Sequence, residues 1–174
     1  MSEEKRLRGV RCGVLTASDR VSRGTGKNES GQYLAQTLAA HGAEVVAHVA
    51  VPDDLDTIAR TLADMADTLQ VDLVLTTGGS GVAPRDVTPE ATLRVIERHV
   101  PGIPEAARIA TAARSPLAML SRAVAGIRGR TLIVNLPGSP RGAREWMDVI
   151  LPILPHVVEL LQERPLEWGR EHKP

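Results

Sequence analysis

In the segment Leu73-Val74-Leu75-Thr76-Thr77-Gly78-Gly79-Ser80-Gly81, an apolar run rich in β-branched residues ends abruptly in glycines. Helical signals resume only at Thr88-Pro89, after the charged pair Arg85-Asp86. This pattern predicts a strand, an exposed loop and then a helix. Glycines let backbone N–H groups close on an anion, and the following helix adds its positive N-terminal end. This glycine loop, Gly78 to Gly81, is therefore a candidate phosphate site.

Strands and helices alternate along the chain before this loop. Three apolar runs predict strands, and the two amphipathic stretches between them predict helices, the second with Asp53 or Asp54 as its N-cap. Because βαβ crossovers are right-handed, two such units build a parallel sheet. The strands are expected at residues 10–17, 43–51 and 71–77, and the helices at residues 30–41 and 55–69. The stretch between the first strand and the first helix, residues 21–29, is predicted to be a loop.

The chain beyond the glycine loop predicts further helices and a hairpin. A helix should begin at Pro89, with Thr88 as its cap, and end at Pro101. The two-residue link Arg128-Gly129 between apolar runs is typical of a hairpin. The remaining elements are expected as a helix at 103–113, hairpin strands at 121–127 and 130–136, and a last helical region after Ser139 whose Trp146, Ile150 and Leu154 face the sheet.

These elements predict an α/β fold class: a three-layer α/β/α sandwich around a mostly parallel sheet with a small β-hairpin, in a single domain. The 174 residues suffice for one aliphatic core. Residues 10–163 are assigned to the domain, residues 1–9 to an N-terminal tail and residues 164–174 to a C-terminal tail.

Composition narrows the classes of partner. The 21 basic and 21 acidic residues cancel, and there are only three aromatic side chains, which argues against a nucleic-acid surface. No apolar segment reaches the roughly 18 residues of a membrane span. The lone Cys12 lies in an apolar run and predicts a buried, reduced thiol in a cytoplasmic protein. We therefore expect neither nucleic acid nor a membrane among its partners.

Polar segments follow the predicted strands at their carboxyl ends. They are Ser18-Asp19-Arg20, Pro52-Asp53-Asp54, the glycine loop, and the residues from Asn135 to Ser139. In an open parallel sheet these ends share one edge, and ligands bind along it. The four segments are therefore expected to meet in one crevice.

Acidic residues in these segments suggest a metal. The glycine loop matches neither a Walker A motif nor a dinucleotide fingerprint, and on its own a tight turn explains it equally well. Asp86 beside it would repel a polyphosphate unless magnesium lay between them. The alternative for Asp86 is a loop or capping aspartate, although Thr88 can already cap the helix. One of Asp53 and Asp54 is likewise spare, although an acidic residue is equally expected there because it is favoured in the first turn of a helix. Ser139 fits either a helix cap or a hydroxyl aimed at a ligand.

The combination of these segments resembles a known family. Thr77 to Gly81 followed by Arg85 to Ala91, with Ser18-Asp19-Arg20 and the segment from Asn135 to Pro140, is similar to the molybdopterin-binding family of molybdenum cofactor biosynthesis. The similarity is greatest to its MogA/MoaB group of molybdopterin adenylyltransferases. It covers about residues 10 to 163. Ser80 stands where many members have threonine, and either residue offers a hydroxyl.

The resemblance implies an activity and an assembly. Members are α/β sandwiches, usually homotrimers or homohexamers, that bind ATP and need magnesium. They transfer AMP from ATP to the terminal phosphate of molybdopterin and release pyrophosphate, and a molybdenum-insertion enzyme is a possible partner. Insertion itself is less expected here, because the insertion domain normally lacks the Arg-Asp-Val-Thr-Pro continuation. Two alternatives are a non-catalytic molybdopterin-binding or carrier module and a hydrolase of nucleotide pyrophosphates.

The resemblance also implies roles for residues. Asp86 and Asp53 match the catalytic and magnesium-binding acids, and one or more of Arg20, Arg85 and Arg122 would neutralise phosphates. The implied phosphate- and nucleotide-binding residues are Gly78, Gly79, Ser80, Gly81, Ser18 and Asp19, and the implied pterin-binding residues are Asn135, Pro137, Gly138 and Ser139.

Overall fold

The structure, a computed structural model, describes residues 6–163. Within them the strands are β1 (Arg11–Ala17), β2 (Glu44–Val51), β3 (Leu73–Thr77), β4 (Arg98–His99), β5 (Ala125–Arg128) and β6 (Thr131–Leu136). The helices are α1 (Asp19–Ser22), α2 (Glu29–Ala40), α3 (Leu55–Asp67), α4 (Thr88–Val95), α5 (Gly102–Ala112), α6 (Pro140–Ile150) and α7 (Leu154–Leu161), with 3₁₀ turns at Pro116–Leu120 and Leu151–Ile153.

The six strands form one sheet in the order β2-β1-β3-β6-β5-β4. Strand β1 pairs in parallel with β2 on one side and β3 on the other, and β3 pairs in parallel with β6. Strands β5 and β4 complete the sheet with antiparallel pairs. From β1 the chain passes first to β2 on one side of β1 and then to β3 on the other side, so the strand order reverses between β1 and β3. Open α/β sheets bind ligands at such a reversal, outside the carboxyl ends of the strands.

Helices cover both faces of the sheet, so the predicted three-layer fold is confirmed. On one face Leu34 and Trp146, from α2 and α6, pack in a core that α5 and α7 extend. On the other face Ile58, Leu62 and Met65 of α3 pack with α4. Their spacing of four and three residues places them on one side of the helix. All five residues of β3 are buried, because a strand covered on both faces has no side exposed to water.

Most strands and helices match the prediction, and Cys12 is buried as expected. Burial raises the pKa of the Cys12 thiol to about 12, which makes it a poor nucleophile. Trp146, Ile150 and Leu154 are buried as predicted. The hairpin is confirmed, although its first strand begins at Ala125 rather than at residue 121 and its connection is at Gly129 and Arg130 rather than at Arg128-Gly129.

Several predicted boundaries differ from the structure. Helix α4 ends at Val95 rather than at Pro101, since the chain then turns into β4 and Glu97 donates to the Ile127 carbonyl at 2.8 Å. Residues whose sequence pattern is helical thus pair with the open edge of β5 as a short strand. Within the predicted loop of residues 21–29, α1 reaches Ser22 and α2 begins at Glu29.

The predicted start of the packed domain at residue 10 also differs from the structure. Leu7 is fully buried, so packing begins before residue 10. The predicted tail at 164–174 lies outside the described residues. No helix between residues 6 and 163 is long and apolar enough to cross a membrane.

Candidate active site

The carboxyl ends of β1, β3 and β6 meet around a cavity of about 220 Å³. Ser18 after β1, Gly78 after β3 and Gly138 after β6 all line it. It opens into a wider space of about 490 Å³ beside Arg20 and Lys27. Three of the four segments predicted to share a crevice therefore border one cavity. The fourth segment, after β2, lies against the glycine loop instead. Its Asp53 Oδ1 is 3.3 Å from the position that a Cβ on Gly79 would occupy.

The glycine loop is sterically restricted to glycine at two positions. Gly78 has φ +91° and Gly79 has φ +64°, a region that side chains disfavour. A Cβ on Gly78 would lie 2.3 Å from the Ala17 carbonyl oxygen, and one on Gly79 would lie 2.5 Å from Thr88 Oγ1. The loop therefore packs its backbone directly against β1 and α4.

In this loop the carbonyl groups are hydrogen-bonded to described residues, whereas the N–H groups are not. The carbonyls of Gly78 and Gly79 accept from Thr88 Oγ1 at 2.9 Å and from the Thr88 N–H at 3.0 Å. Those of Ser80 and Gly81 accept from the N–H and Nε of Arg122, at 2.8 and 2.6 Å. The four N–H groups from Gly78 to Gly81 donate to no residue in the described part of the chain. Successive unpaired amides are what an anion requires of a loop.

Thr88 does not cap helix α4, and that prediction is wrong. Its side chain and its N–H are both used on the glycine loop, and no side chain caps α4. Pro89 does occupy the start of the helix as expected. The carbonyls of the loop would otherwise be unpaired beside the helix, which explains why the hydroxyl is used there.

Asp86 is anchored on one side only. Its Oδ2 accepts from the Ala83 N–H at 2.9 Å, so the loop-aspartate interpretation is partly right. Its carbonyl accepts from Arg122 Nη2 at 2.6 Å. The other carboxylate oxygen, Oδ1, has no hydrogen-bond donor among residues 6–163. Asp86 therefore lies against Gly81 with one oxygen free for a ligand.

The two aspartates after β2 have different tasks. Asp54 caps α3, accepting from the Thr57 N–H at 2.9 Å. Asp53 Oδ2 accepts from the Asp19 N–H at 3.0 Å, and Asp19 Oδ1 accepts from the Asp53 N–H at 3.1 Å. This reciprocal pair joins the segments after β1 and β2. It leaves Asp53 Oδ1 beside the glycine loop, with no donor in the described chain.

The pKa values of Asp53 and Asp19 are shifted in opposite directions. Burial raises the pKa of Asp53, and the nearby negative charges of Asp19 and Asp86 add to that effect. Arg85 holds the pKa of Asp19 below its usual range by donating to it from Nε at 2.6 Å and Nη2 at 3.0 Å. Asp53 and Asp86 thus lie within electrostatic reach of each other, and their repulsion would be relieved by a cation.

Two of the three candidate arginines and Asp19 are already occupied within the protein. Arg85 pairs with Asp19, and Arg122 binds the glycine loop and the carboxylate of Glu90. Their predicted role as phosphate contacts, and that of Asp19, is not supported, because these charges neutralise one another. Arg20 remains exposed at the cavity and has no acidic partner within residues 6–163.

Sequence reasoning missed Lys27, which lines both parts of the cavity. The signal was the glycine-containing run Gly24-Thr25-Gly26-Lys27, which carries a cation shortly after a predicted strand end. It also missed Asn28, the N-cap of α2, which accepts from Gly31 N–H at 3.2 Å and Thr16 Oγ1 at 2.9 Å.

The residues at the end of β6 and just after it are mostly structural. Asn135 is fully buried, and its side chain bonds Val124 N–H, Thr76 Oγ1 and Thr92 Oγ1 at 3.2, 3.1 and 2.9 Å. Because these bonds hold the amide inside the fold, the structure gives no support to its predicted contact with a pterin, which stays a prediction. Ser139 caps α6, accepting from Gly142 N–H at 3.0 Å.

The polar atoms next to this segment are bonded in the same way. The Pro137 carbonyl accepts from Thr77 Oγ1 at 2.7 Å, and the buried Ser80 hydroxyl donates to the Leu136 carbonyl at 3.4 Å. Ser18 Oγ caps α1 by accepting from the Val21 N–H at 3.3 Å. Gly138 alone of the four predicted pterin-binding residues lines the smaller cavity, and with Pro140 it borders the larger space.

The site therefore has a basic side, with Arg20 and Lys27, and an acidic side, with Asp53 and Asp86, separated by the glycine loop. The described residues contain no group of three or more His, Cys, Asp or Glu side chains placed to hold a metal. Magnesium commonly takes only one or two protein carboxylates and completes its shell with phosphate and water. Two carboxylates with a free oxygen each fit that requirement.

Comparison with known proteins gives a consistent result. Residues 13–156 match a family described as "Probable molybdopterin binding domain". The chain is 40% identical over 157 residues to a molybdopterin adenylyltransferase of Helicobacter pylori J99, covering 89% of each, and 39% identical over 142 residues to that of Escherichia coli K12, covering 80% of this chain and 72% of the relative.

Solved structures agree with these relatives. The molybdopterin biosynthesis enzyme MoaB of Thermus thermophilus is 47% identical, with a TM-score of 0.84 over 90% of this chain and 98% of that one. The molybdopterin biosynthesis Mog protein of Mycobacterium ulcerans is 37% identical, with a TM-score of 0.83 over 88% and 99%.

Proposed function

The chain belongs to the molybdopterin-binding domain family, and we propose that it acts in molybdenum cofactor biosynthesis by transferring AMP from ATP to the terminal phosphate of molybdopterin. The observation that carries this proposal is the glycine loop, whose carbonyls are all bonded and whose amides have no partner among residues 6–163. Beside it lie two carboxylates that each keep one oxygen without a donor in the same residues. That arrangement suits a substrate with several phosphate groups and a cation.

The reaction consists of one exchange at phosphorus. An oxygen of the pterin phosphate attacks the α-phosphorus of ATP, and the bond from that phosphorus to the bridging oxygen breaks, so that pyrophosphate leaves. Several negative charges come together, and catalysis is therefore mainly positioning and charge neutralisation. The amides from Gly78 to Gly81 would hold the nucleotide phosphates, and Arg20 and Lys27 would draw both substrates into the crevice.

Asp53 and Asp86 are the residues that would hold magnesium. Each keeps one carboxylate oxygen without a donor in the described chain, and each lies against the glycine loop. When bound, the ion would neutralise phosphate charge and polarise the P–O bonds of the phosphate under attack. Arg85 and Asp19 fix the position of Asp53, while Ala83 and Arg122 fix that of Asp86. The pterin would lie beside Gly138, with Pro137 and Ser139 shaping the turn and Asn135 acting only through the fold.

The experiment is a transfer assay. The protein is incubated with molybdopterin, magnesium and ATP, and the products are separated by chromatography. Adenylylated molybdopterin with stoichiometric pyrophosphate supports the proposal. Molybdopterin binding without turnover would indicate the carrier module instead, and AMP release without pterin would indicate a pyrophosphate hydrolase. Omitting magnesium should abolish transfer.

We also propose that the protein is a cytoplasmic homo-oligomer, a trimer or hexamer, that passes its product to a molybdenum-insertion enzyme. The adenylylated pterin is an activated intermediate, and a reaction that uses its phosphoanhydride must follow. Light scattering of the purified chain would give the mass of the assembly. A monomer at micromolar concentration would contradict the oligomer.

A further inference from the structure

We propose that the space between the starts of α2 and α6 is a second anion subsite, distinct from the glycine loop, which receives a phosphoryl group through Ser30, Lys27 and Arg20. The space is lined by these three residues together with Gly138 and Pro140. Which phosphate it holds rests on the proposed function, but the existence of the subsite does not.

Ser30 is the observation that points to a ligand. Its side chain is nearly buried, with 6% of the residue exposed, and it borders both parts of the cavity. Its hydroxyl has no hydrogen-bond partner in the described chain, whereas those of Ser18, Ser80 and Ser139 all have one. Its oxygen is not among the fully buried side-chain atoms of the described chain that lack a partner, so it reaches the cavity, where water or a ligand can bond it.

The backbone around Ser30 supplies further donors. Asn28 caps this 12-residue helix and takes up the Gly31 N–H, but the N–H groups of Glu29 and Ser30 donate to no described residue. A Cβ on Gly31 would lie 2.4 Å from Asn28 Oδ1, so only glycine lets the cap pack this closely. The positive end of α2 is thereby held open at the cavity.

Two cations complete the subsite. Arg20 and Lys27 are exposed along its wall and have no carboxylate partner among residues 6–163. Glu29 also borders the outer part, which leaves a net charge of +1 from the side chains, two positive minus one negative. Together with the free amides and the Ser30 hydroxyl, this charge favours a phosphate over a neutral group.

Two subsites agree with a reaction that joins two phosphorylated molecules. The glycine loop provides one set of donors and the α2 terminus another, and Gly78 borders the same cavity as Ser30. The shared chemistry is a phosphoryl dianion, which either ATP or the pterin compound could supply.

The test uses inorganic pyrophosphate as the probe, titrated calorimetrically into the full chain. Lys27→Met and Ser30→Ala should each weaken binding, Lys27→Met by about tenfold, as expected for a lost charge-assisted contact. Arg98→Met, an exposed cation on β4 at the opposite edge of the sheet, is the control and should bind as the unmodified protein does. Neither Lys27 nor Ser30 makes a hydrogen bond through its side chain within the described chain, so both variants should fold.

A parallel titration with ATP separates the sources. If ATP affinity falls with pyrophosphate affinity, the subsite serves the nucleotide; if only pyrophosphate affinity falls, it serves the other phosphate. Unchanged pyrophosphate binding in both variants, or none in the unmodified protein, would overturn the proposal. If the variants bind pyrophosphate unchanged while the protein transfers AMP, the subsite is wrong and the proposed function stands. If the variants lose pyrophosphate affinity but the protein shows no transfer activity, the subsite stands and the proposed function is wrong.

Discussion

The loops after β3 and β6 lie against each other, since a Cβ on Gly138 would be 3.0 Å from the Gly78 Cα, yet they use their polar groups in opposite ways. The loop after β3 binds all four of its carbonyls to the protein, while its amides and an Asp86 oxygen have no partner among residues 6–163. The end of β6 and the residues after it use Asn135 and Ser139 inside the fold. Location at a strand end therefore identifies the crevice, while hydrogen-bond accounting identifies the groups that can meet a ligand.

The largest expected effect comes from Gly78→Ala. The new Cβ would meet the Ala17 carbonyl oxygen at 2.3 Å in a backbone with φ +91°, so β1 and the loop would be forced apart. We expect a loss of roughly 4 kcal/mol in the free energy of unfolding, measured by urea titration. Gly129→Ala, with φ +56° and open space around it, is the control and should cost about 1 kcal/mol. Equal losses would show that the close approach does not matter.

Asp86→Asn should remove activity without unfolding the protein. Asparagine Oδ1 can still accept from the Ala83 N–H, so the midpoint of thermal unfolding should hardly change. Adenylyl transfer should fall by about a hundredfold or more, as for other groups that stabilise transition-state charge. Asp64→Asn, on the exposed side of α3, controls for the loss of a charge. Unchanged transfer in the Asp86 variant would remove this residue from the mechanism.

Asn135→Ala is expected to do the opposite. It would leave the Val124 N–H and the Thr76 hydroxyl without their partner in the core, and the Thr92 hydroxyl with only its bond to the Thr88 carbonyl. The free energy of unfolding should fall by roughly 2 kcal/mol, while the KM for molybdopterin of the folded fraction stays within about twofold. A large rise in KM with unchanged stability would make Asn135 a ligand contact after all.

The smallest effect is on pH dependence. Because burial raises the pKa of Asp53, this carboxylate takes up a proton at a higher pH than an ordinary aspartate, and kcat/KM should decline on the acidic side accordingly. Arg85→Gln removes a charge that lowers this pKa and should move the decline upward by less than about one pH unit. In Asp54→Asn the profile should not move, since Asp54 caps α3. A downward shift in the Arg85 variant would contradict the assignment.

Local pattern predicted the sheet, the crevice and the glycine loop, because each depends on neighbouring residues. It could not predict the partners of polar side chains far along the chain. Arg122 reaches Gly81 across 41 positions, and Asn135 reaches Thr76 across 59. The end of α4 was missed for the same reason, since it depends on the free edge of β5. Ser30 and Lys27 gained significance only when the cavity between α2 and α6 placed them together.

The central claim is that the unpaired amides of the glycine loop bind the phosphates of ATP. Amide NMR spectra of ¹⁵N-labelled protein, recorded while magnesium and ATP are added, test it directly. The N–H signals of Gly79, Ser80 and Gly81 should shift most, and those of Gly42 and Gly129, outside the crevice, should stay in place. Shifts elsewhere in the crevice with these three signals unmoved would contradict the account.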